Sequence, residues 1–114
     1  MLKISGNKIS LTRGDSAYIT LTINTENDIY ILNDGDEVRV QVRDMPNTGE
    51  LIFEGTIEMI EDEIVWHIYP DQTKDLEVAT YYWDAQLQTS NGDIFTFIPA
   101  SAFKLLDEVT MDNE

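Results

Sequence analysis

The chain has no cysteine, and its 114 residues include seven lysine or arginine side chains and one histidine. The absence of cysteine excludes disulfides, thiolate metal sites and cysteine nucleophiles. Against the few basic residues stand 22 acidic ones, a formal net charge of −15. Binding to nucleic acids is driven by cationic side chains that displace counterions, and anionic membranes attract the same side chains. We therefore expect no direct contact with nucleic acid or with a membrane surface.

Long apolar runs are also missing. No stretch approaches the roughly 18 apolar residues of a membrane-spanning helix, and the N-terminal sequence MLKISGNKISLTRGD has no apolar core of a secretory signal. The sequence predicts a protein with no signal peptide, made and kept in a cytoplasm or in a particle assembled there.

Short alternating patterns take the place of long runs. Residues 81–98, YYWDAQLQTSNGDIFTFI, predict two strands joined by a turn at 90–93. The Asn91-Gly92 pair favours the positive φ angles of a tight hairpin turn. A period of two is typical of half-buried strands, and in the first strand it places one apolar set on the same face: Tyr81, Trp83, Ala85 and Leu87.

Similar patterns recur along the whole chain. A hairpin about Gly6 and Asn7 comes first, Gly55 is predicted to be a bulge or break in its strand, and residues 71–76 fit a helical turn or loop after Pro70. Further strands are predicted at 17–23, 38–43, 51–60, 64–69 and 103–109. Seven to nine short strands indicate an all-β fold, a two-sheet antiparallel β-sandwich with immunoglobulin-like character. We expect one domain over residues 1–110 and an acidic C-terminal tail at 111–114.

The order of several motifs resembles the small β-sandwich domains of bacteriophage and prophage tails, in particular the N-terminal domain of phage baseplate upper proteins. In that family a Gly-Asp pair opens an early strand, and a later strand that ends in Pro precedes a Thr/Leu turn. A strand with the pattern aromatic-Asp-x-Gln-Leu follows, and then a hairpin that contains Gly. The closing strand ends in Val-Thr. The matching residues here are Gly14, Asp15, Pro70, Thr73, Leu76, Tyr81, Trp83, Asp84, Gln86, Leu87, Gly92, Phe103, Val109 and Thr110.

The resemblance implies a structural role without catalytic residues. The expected protein is a non-enzymatic component of a phage or prophage tail, at the baseplate, that contacts other tail proteins and forms homo-oligomers in the particle. It would reside in the virion, or in the bacterial cytoplasm during assembly. No cofactor is expected.

Residue types that could carry chemistry do not form a set with the required spacing. His67 lies in a predicted strand without a nucleophile or further metal ligands of its kind, so we interpret it as an ordinary strand side chain. Asp84 and Glu58 could form a glycosidase pair, although a chain this acidic offers many such pairs. The acidic loops at 34–37 and 61–63 do not keep EF-hand spacing, so we interpret both as solvated turns.

Arg13, Gly14 and Asp15 spell an adhesion-type tripeptide, which a Gly-Asp turn before the next strand explains physically. Arg39 and Arg43 alternate with valines and are predicted on the outward face of their strand, where they would pair with glutamates of a neighbouring strand or anchor an acidic patch of another copy. With the outward-facing Tyr82 they form the predicted interaction surface.

Two alternative functions remain open in the sequence. Trp66 and Trp83 are expected in the core, but a carbohydrate-binding module for host recognition would expose one of them beside Tyr82. An acidic mimic of nucleic acid would need carboxylates spaced along one surface, whereas many acids here fall in loops and the tail: Asp34, Asp36, Glu61, Asp62, Glu63, Asp107, Glu108, Asp112 and Glu114.

Overall fold

The computed structural model describes residues 2–25, 28–46 and 49–108. The predicted acidic tail at 111–114 lies outside this part of the chain, as do Val109 and Thr110. Nine strands and one short helix occur within the described residues: β1 (Leu2–Ser5), β2 (Lys8–Thr12), β3 (Ala17–Leu21), β4 (Glu37–Arg43), β5 (Leu51–Glu54), β6 (Thr56–Ile60), β7 (Glu63–Ile68), α1 (Pro70–Thr73), β8 (Thr80–Gln88) and β9 (Ile94–Leu106).

The strands form two sheets, which confirms the predicted all-β sandwich. The larger sheet has six strands in the order β1-β2-β9-β8-β4-β5, and the smaller has three in the order β3-β7-β6. Neighbouring strands are antiparallel in every pair of the described chain except one, because β2 runs parallel to β9. The predicted antiparallel character therefore holds for all but this pair.

The apolar faces of the two sheets meet in one core. Trp66 of β7 and Trp83 of β8 are in contact across it, with ring centroids 5.2 Å apart, and Trp66 also lies 6.0 Å from Phe103 of β9. Both tryptophans are buried, with 0% and 3% of their surface exposed. The predicted inward face of β8 is confirmed, because all four of its members are buried: Tyr81, Trp83, Ala85 and Leu87.

The strand predicted at 51–60 divides at Gly55, and its two halves belong to different sheets. A Cβ atom at Gly55 would lie 2.7 Å from Trp66 Nε1 and 2.9 Å from Val40 Cβ, so only glycine fits between the indole and the valine. The amide of Gly55 still donates to the carbonyl of Val40 at 2.7 Å. The predicted break is confirmed, and here it carries the chain from one sheet to the other.

The prediction of a separate last strand at 103–109 is wrong, because β9 is a single strand that continues through Pro99 to Leu106. The ladder between β8 and β9 shifts register twice, between Trp83 and Ala85 and between Ala85 and Gln86. Proline cannot donate a hydrogen bond to a ladder, and bulges are places that tolerate it. The irregular register therefore lets β9 pass through a residue that the sequence pattern marks as a break.

The turns also differ from the expectation. In the 90–93 turn only Gly92 has a positive φ, at 91°. Gly92 N donates to Thr89 O at 2.9 Å, and Thr89 N donates to Asp93 O at 2.8 Å. These hydrogen bonds enclose a loop of three residues. The two-residue turn with positive φ at both positions lies between β6 and β7 instead, at Glu61 and Asp62, with φ of 50° and 69°. This acidic hairpin tip is exposed, as predicted.

Candidate interaction surfaces

The predicted interaction residues Arg39, Arg43 and Tyr82 lie on the outer face of the six-stranded sheet. Arg43 of β4 is directly opposite Tyr82 of β8 in the ladder, and Arg39 is opposite Gln86. The structure therefore brings Arg43 and Tyr82 together, whereas Arg39 lies further along β4. Whether these residues contact another protein stays a prediction.

Both arginines are engaged within the chain. Arg39 forms an ion pair with Glu54 of β5 at 2.9 Å, and both side chains are about half exposed. Arg43 donates to the carbonyl of Gly49 at 2.8 Å and to Gln41 Oε1 at 2.9 Å. Hydrogen bonds from Gln41 and then from Arg39 lower the pKa of the Glu54 carboxyl. The cross-strand pairing expected of a structural role is thus present at Arg39.

A small cavity lies beside Arg43 and Tyr82. Its volume is about 20 Å³, which holds little more than one water molecule. Asp84 lines it, and burial raises the pKa of this carboxyl while the charge of Arg43 acts in the opposite direction.

Asp84 and Glu58, the pair considered for glycoside hydrolysis, lie on the outer faces of opposite sheets and do not meet.

Arg13 holds the end of β2 against the end of β9. Its guanidinium contacts Glu108 through two bonds of 3.0 Å, Asp107 at 3.3 Å and the carbonyl of Leu76 at 3.0 Å. Hydrogen bonding to Arg13 lowers the pKa of the Glu108 carboxyl. The side chain is therefore committed to the fold, and the tripeptide that begins with Arg13 is a turn, as the structural interpretation predicted.

The acidic loop at 34–37 uses one carboxylate to fix its own backbone. Asp36 accepts hydrogen bonds from Tyr30 Oη at 2.6 Å, from Asn33 N at 2.9 Å and from Ser90 N at 3.3 Å. These bonds, led by that of Tyr30, lower the pKa of Asp36. Across residues 2–25, 28–46 and 49–108, no three His, Cys, Asp or Glu side chains lie close enough to hold a metal ion.

An aromatic stack on the outer face of the three-stranded sheet was missed by the sequence analysis. The ring of His67 lies between Tyr18 of β3, with centroids 4.1 Å apart, and Tyr69, at 3.8 Å. Its Nδ1 atom lies 2.7 Å from Glu58 Oε2. Tyr69 follows His67 by two positions, so one side of the stack could have been inferred from the period of two, but Tyr18 comes from a strand about fifty residues away.

A groove of about 390 Å³ separates the two sheets on one side of the sandwich. We define its lining as the groove residues: Ile4, Gly6, Asn7, Ile9, Ile19, Thr20, Leu21, Thr22, Asn24, Trp83, Phe97 and Ile98. One wall is the β1–β2 hairpin and the other is β3 with the residues that follow it. Trp83 donates from Nε1 to the carbonyl of Asn7 at 3.0 Å, which fixes the indole to the hairpin wall.

The tryptophans do not form an exposed platform. Trp66 is fully buried and Trp83 is 97% buried, as expected for core residues. The condition set for the carbohydrate-binding alternative, an exposed tryptophan beside Tyr82, is therefore not met.

No family model matches the chain, and no curated protein is significantly similar to it. In the part of the chain that the structure describes, no helix has both the length and the apolar character needed to cross a membrane.

Proposed function

We propose that this chain is a non-enzymatic assembly protein that joins other proteins within a larger particle. The observation that carries the proposal is the groove beside β3, an edge strand that pairs only with β7 among the strands described. An edge strand offers a row of backbone hydrogen-bonding groups to another chain, and many protein contacts are built in this way. The polar clusters around Arg13, Arg43 and Asp36 are by contrast occupied by bonds within the chain.

The particle we propose is a phage or prophage tail, with the chain at the baseplate and in several copies. The support for this is the ordered series of motifs that resembles baseplate upper proteins, together with the sandwich fold that contains the motif residues from Gly14 to Phe103. The formal charge of −15 fits this role, because repulsion keeps free copies apart and soluble until the correct neighbour is met.

The direct test is the composition of purified particles. Tail particles released from a strain that carries the gene are separated on a density gradient, and the chain is quantified by mass spectrometry against a known tail protein. We expect a fixed ratio to the tail protein across the particle fractions, while a ribosomal protein used as the control stays at background.

Two results together would contradict the proposal: absence of the chain from the particle fractions, and a monomeric mass by light scattering at high protein and salt concentration. High salt matters because it screens the repulsion between acidic copies. A monomer that persists after screening would have no tendency to form the proposed homo-oligomer.

A further inference from the structure

The groove has the geometry of a site for an added strand. Consecutive residues Ile19, Thr20, Leu21 and Thr22 all line it, although their side chains alternate between the two faces of the small sheet. Only the backbone edge of a strand presents consecutive residues to one surface. In an antiparallel pair, alternate residues direct their N–H and C=O groups away from the partner strand, so β3 directs such groups toward the groove.

The floor of the groove is apolar. Ile9, Ile19 and Leu21 are each at most 5% exposed, and Trp83 and Ile98 lie beside them. On the opposite wall Ile4 is 46% exposed, which leaves an isoleucine side chain in contact with solvent at the mouth of the groove. A strand laid along β3 would direct every second side chain onto this floor.

None of the described residues that line the groove is charged, although 29 of the 114 residues in the sequence are Asp, Glu, Lys or Arg, 22 acidic and 7 basic. A segment that enters it must therefore be uncharged where it is covered, since an unpaired buried charge is costly. The rest of the molecule is strongly acidic, so a segment with basic residues on either side of the covered part gains favourable long-range attraction.

We propose that the groove binds an extended segment of a partner protein, which pairs with the free edge of β3, places alternate apolar side chains on the floor, and carries basic residues at its flanks. This inference rests on the assembly role proposed above and specifies the partner. A second copy of this chain is disfavoured as the occupant of the groove because each copy carries a formal charge of −15, so we expect the contacts between copies in the particle to lie at other surfaces.

The test begins with a displayed library of random peptides about ten residues long, the upper range of strand lengths. Selection against the full chain is followed by synthesis of the recovered peptides and NMR titration. We expect recovered peptides to alternate apolar residues, to lack acidic residues and proline in the central part, and to shift the amides of Ile19 to Thr22 and the indole N–H of Trp83.

Two matched protein variants locate the site. Ile4→Glu places a charge on the groove wall, and Ile60→Glu places the same charge on β6, where the replaced isoleucine is also 46% exposed. We expect Ile4→Glu to weaken peptide binding by about tenfold or more, and Ile60→Glu to leave it within about twofold. Far-UV circular dichroism of both variants checks that they fold.

Peptide N-methylation distinguishes strand pairing from simple apolar contact. Methylation at alternate backbone amides removes the donors on one edge of the peptide. We expect one of the two alternating sets to abolish binding and the other to leave it nearly unchanged, because only one edge faces β3.

Three results would overturn the proposal: no recovered peptide shifts the β3 amides, both methylated sets bind equally, or the free protein dimerises through the same amides and Ile4→Glu abolishes the dimer. The last result would assign the edge to a second copy. Any of them could occur while the chain is still found in tail particles, so failure of this inference is distinguishable from failure of the proposed function.

Discussion

The two sides of the sandwich differ in how the chain closes them. On one side, which we term the closed side, Gly55 carries the chain from β5 in the large sheet to β6 in the small sheet. On the other, the open side, the β1–β2 hairpin and β3 are joined at one end through Gly14 and diverge to leave the groove of about 390 Å³. The chain therefore links the two sheets directly between β5 and β6, and leaves a groove between them where β2 and β3 separate.

The two sides also differ in how closely their glycines are packed. Gly55 is confined by Trp66 and Val40 at distances that admit no Cβ atom. Apart from its own atoms and those of its two chain neighbours, Gly6, in the β1–β2 turn of the open side, has no heavy atom of the described residues within 4 Å of the place where its Cβ would be. Close packing transmits any change in volume, so we expect added volume to be tolerated less well at Gly55 than at Gly6.

The largest expected effect is on the closed side. Gly55→Ala should destabilise the protein by about 3 kcal/mol, because the new methyl group overlaps Trp66 and Val40 and must displace them. Gly6→Ala has no such overlap and should cost only about 1 kcal/mol, since φ of 62° disfavours an L-residue there. Urea unfolding followed by circular dichroism measures both values. Equal costs for the two variants would contradict the proposed difference in packing between the sides.

A smaller effect is expected at the narrow end of the open side, where Arg13 binds Glu108. The lowered pKa of Glu108 means that this interaction stabilises the fold at neutral pH, above the carboxyl's unfolded value, and that the contribution is lost as the pH falls through the folded-state pKa. Arg13→Gln should therefore lower the midpoint of urea unfolding at neutral pH. The difference in midpoint between this variant and the natural protein should become smaller in acid.

Arg39→Gln is the matched control for this prediction. Its partner Glu54 is also a carboxylate of lowered pKa, but both side chains are about half exposed, whereas Arg13 and Glu108 are about three-quarters buried. Exposed pairs contribute little, so the control should change the midpoint less. If Arg13→Gln lowers the urea midpoint by the same amount at every pH, the ion pair with Glu108 is not the cause of the lost stability.

A modest effect is expected from the outer stack that holds β3 to the small sheet. Tyr18→Ala removes the contact with His67 and should cost about 1 kcal/mol. Amide hydrogen exchange should increase in β3 more than in β8, because β3 pairs with only one of the described strands. Thr20→Ala, on the same strand, is the control and should leave exchange nearly unchanged. Faster exchange throughout the protein would contradict a local role for the stack.

The smallest effect is optical and compares the two tryptophans. Trp83 lines the groove, whereas Trp66 lies against Gly55 on the closed side. The variant Trp66→Phe keeps only Trp83, and the variant Trp83→Phe keeps only Trp66. Acrylamide should quench the fluorescence of Trp83 in the first variant more readily than that of Trp66 in the second. A peptide bound in the groove should reduce quenching of Trp83 alone. Equal quenching of both indoles would mean that the groove does not admit small solutes.

Much of the fold followed from local pattern. The alternation of Val40 and Val42 with polar residues predicted the inward face of β4, and the structure buries both valines. Gly55 was predicted as an interruption because a glycine in a strand packs no side chain. The continuation of β9 through Pro99 was not predictable in the same way, since the register shifts that accommodate the proline depend on pairing with β8.

The candidate sites were less predictable than the strands. The outward positions of Arg39, Arg43 and Tyr82 follow from a period of two, but the neighbours that occupy the two arginines, Glu54 and Gly49, depend on how β4 meets the next strand. The groove has no sequence signature, because its walls come from segments that are distant in the chain. Its apolar floor is indistinguishable in the sequence from the rest of the core.

Two properties follow from the order and number of side chains alone: the extended segments have one apolar face, and the chain is highly acidic. Which strands pair, where the groove lies and which rings stack on His67 depend on how the whole chain packs. The physical reason is that backbone hydrogen bonds are the same for every residue except proline. Pairing is therefore selected by the packing of the whole core, which leaves β3, like β1, β5 and β6, at the edge of its sheet.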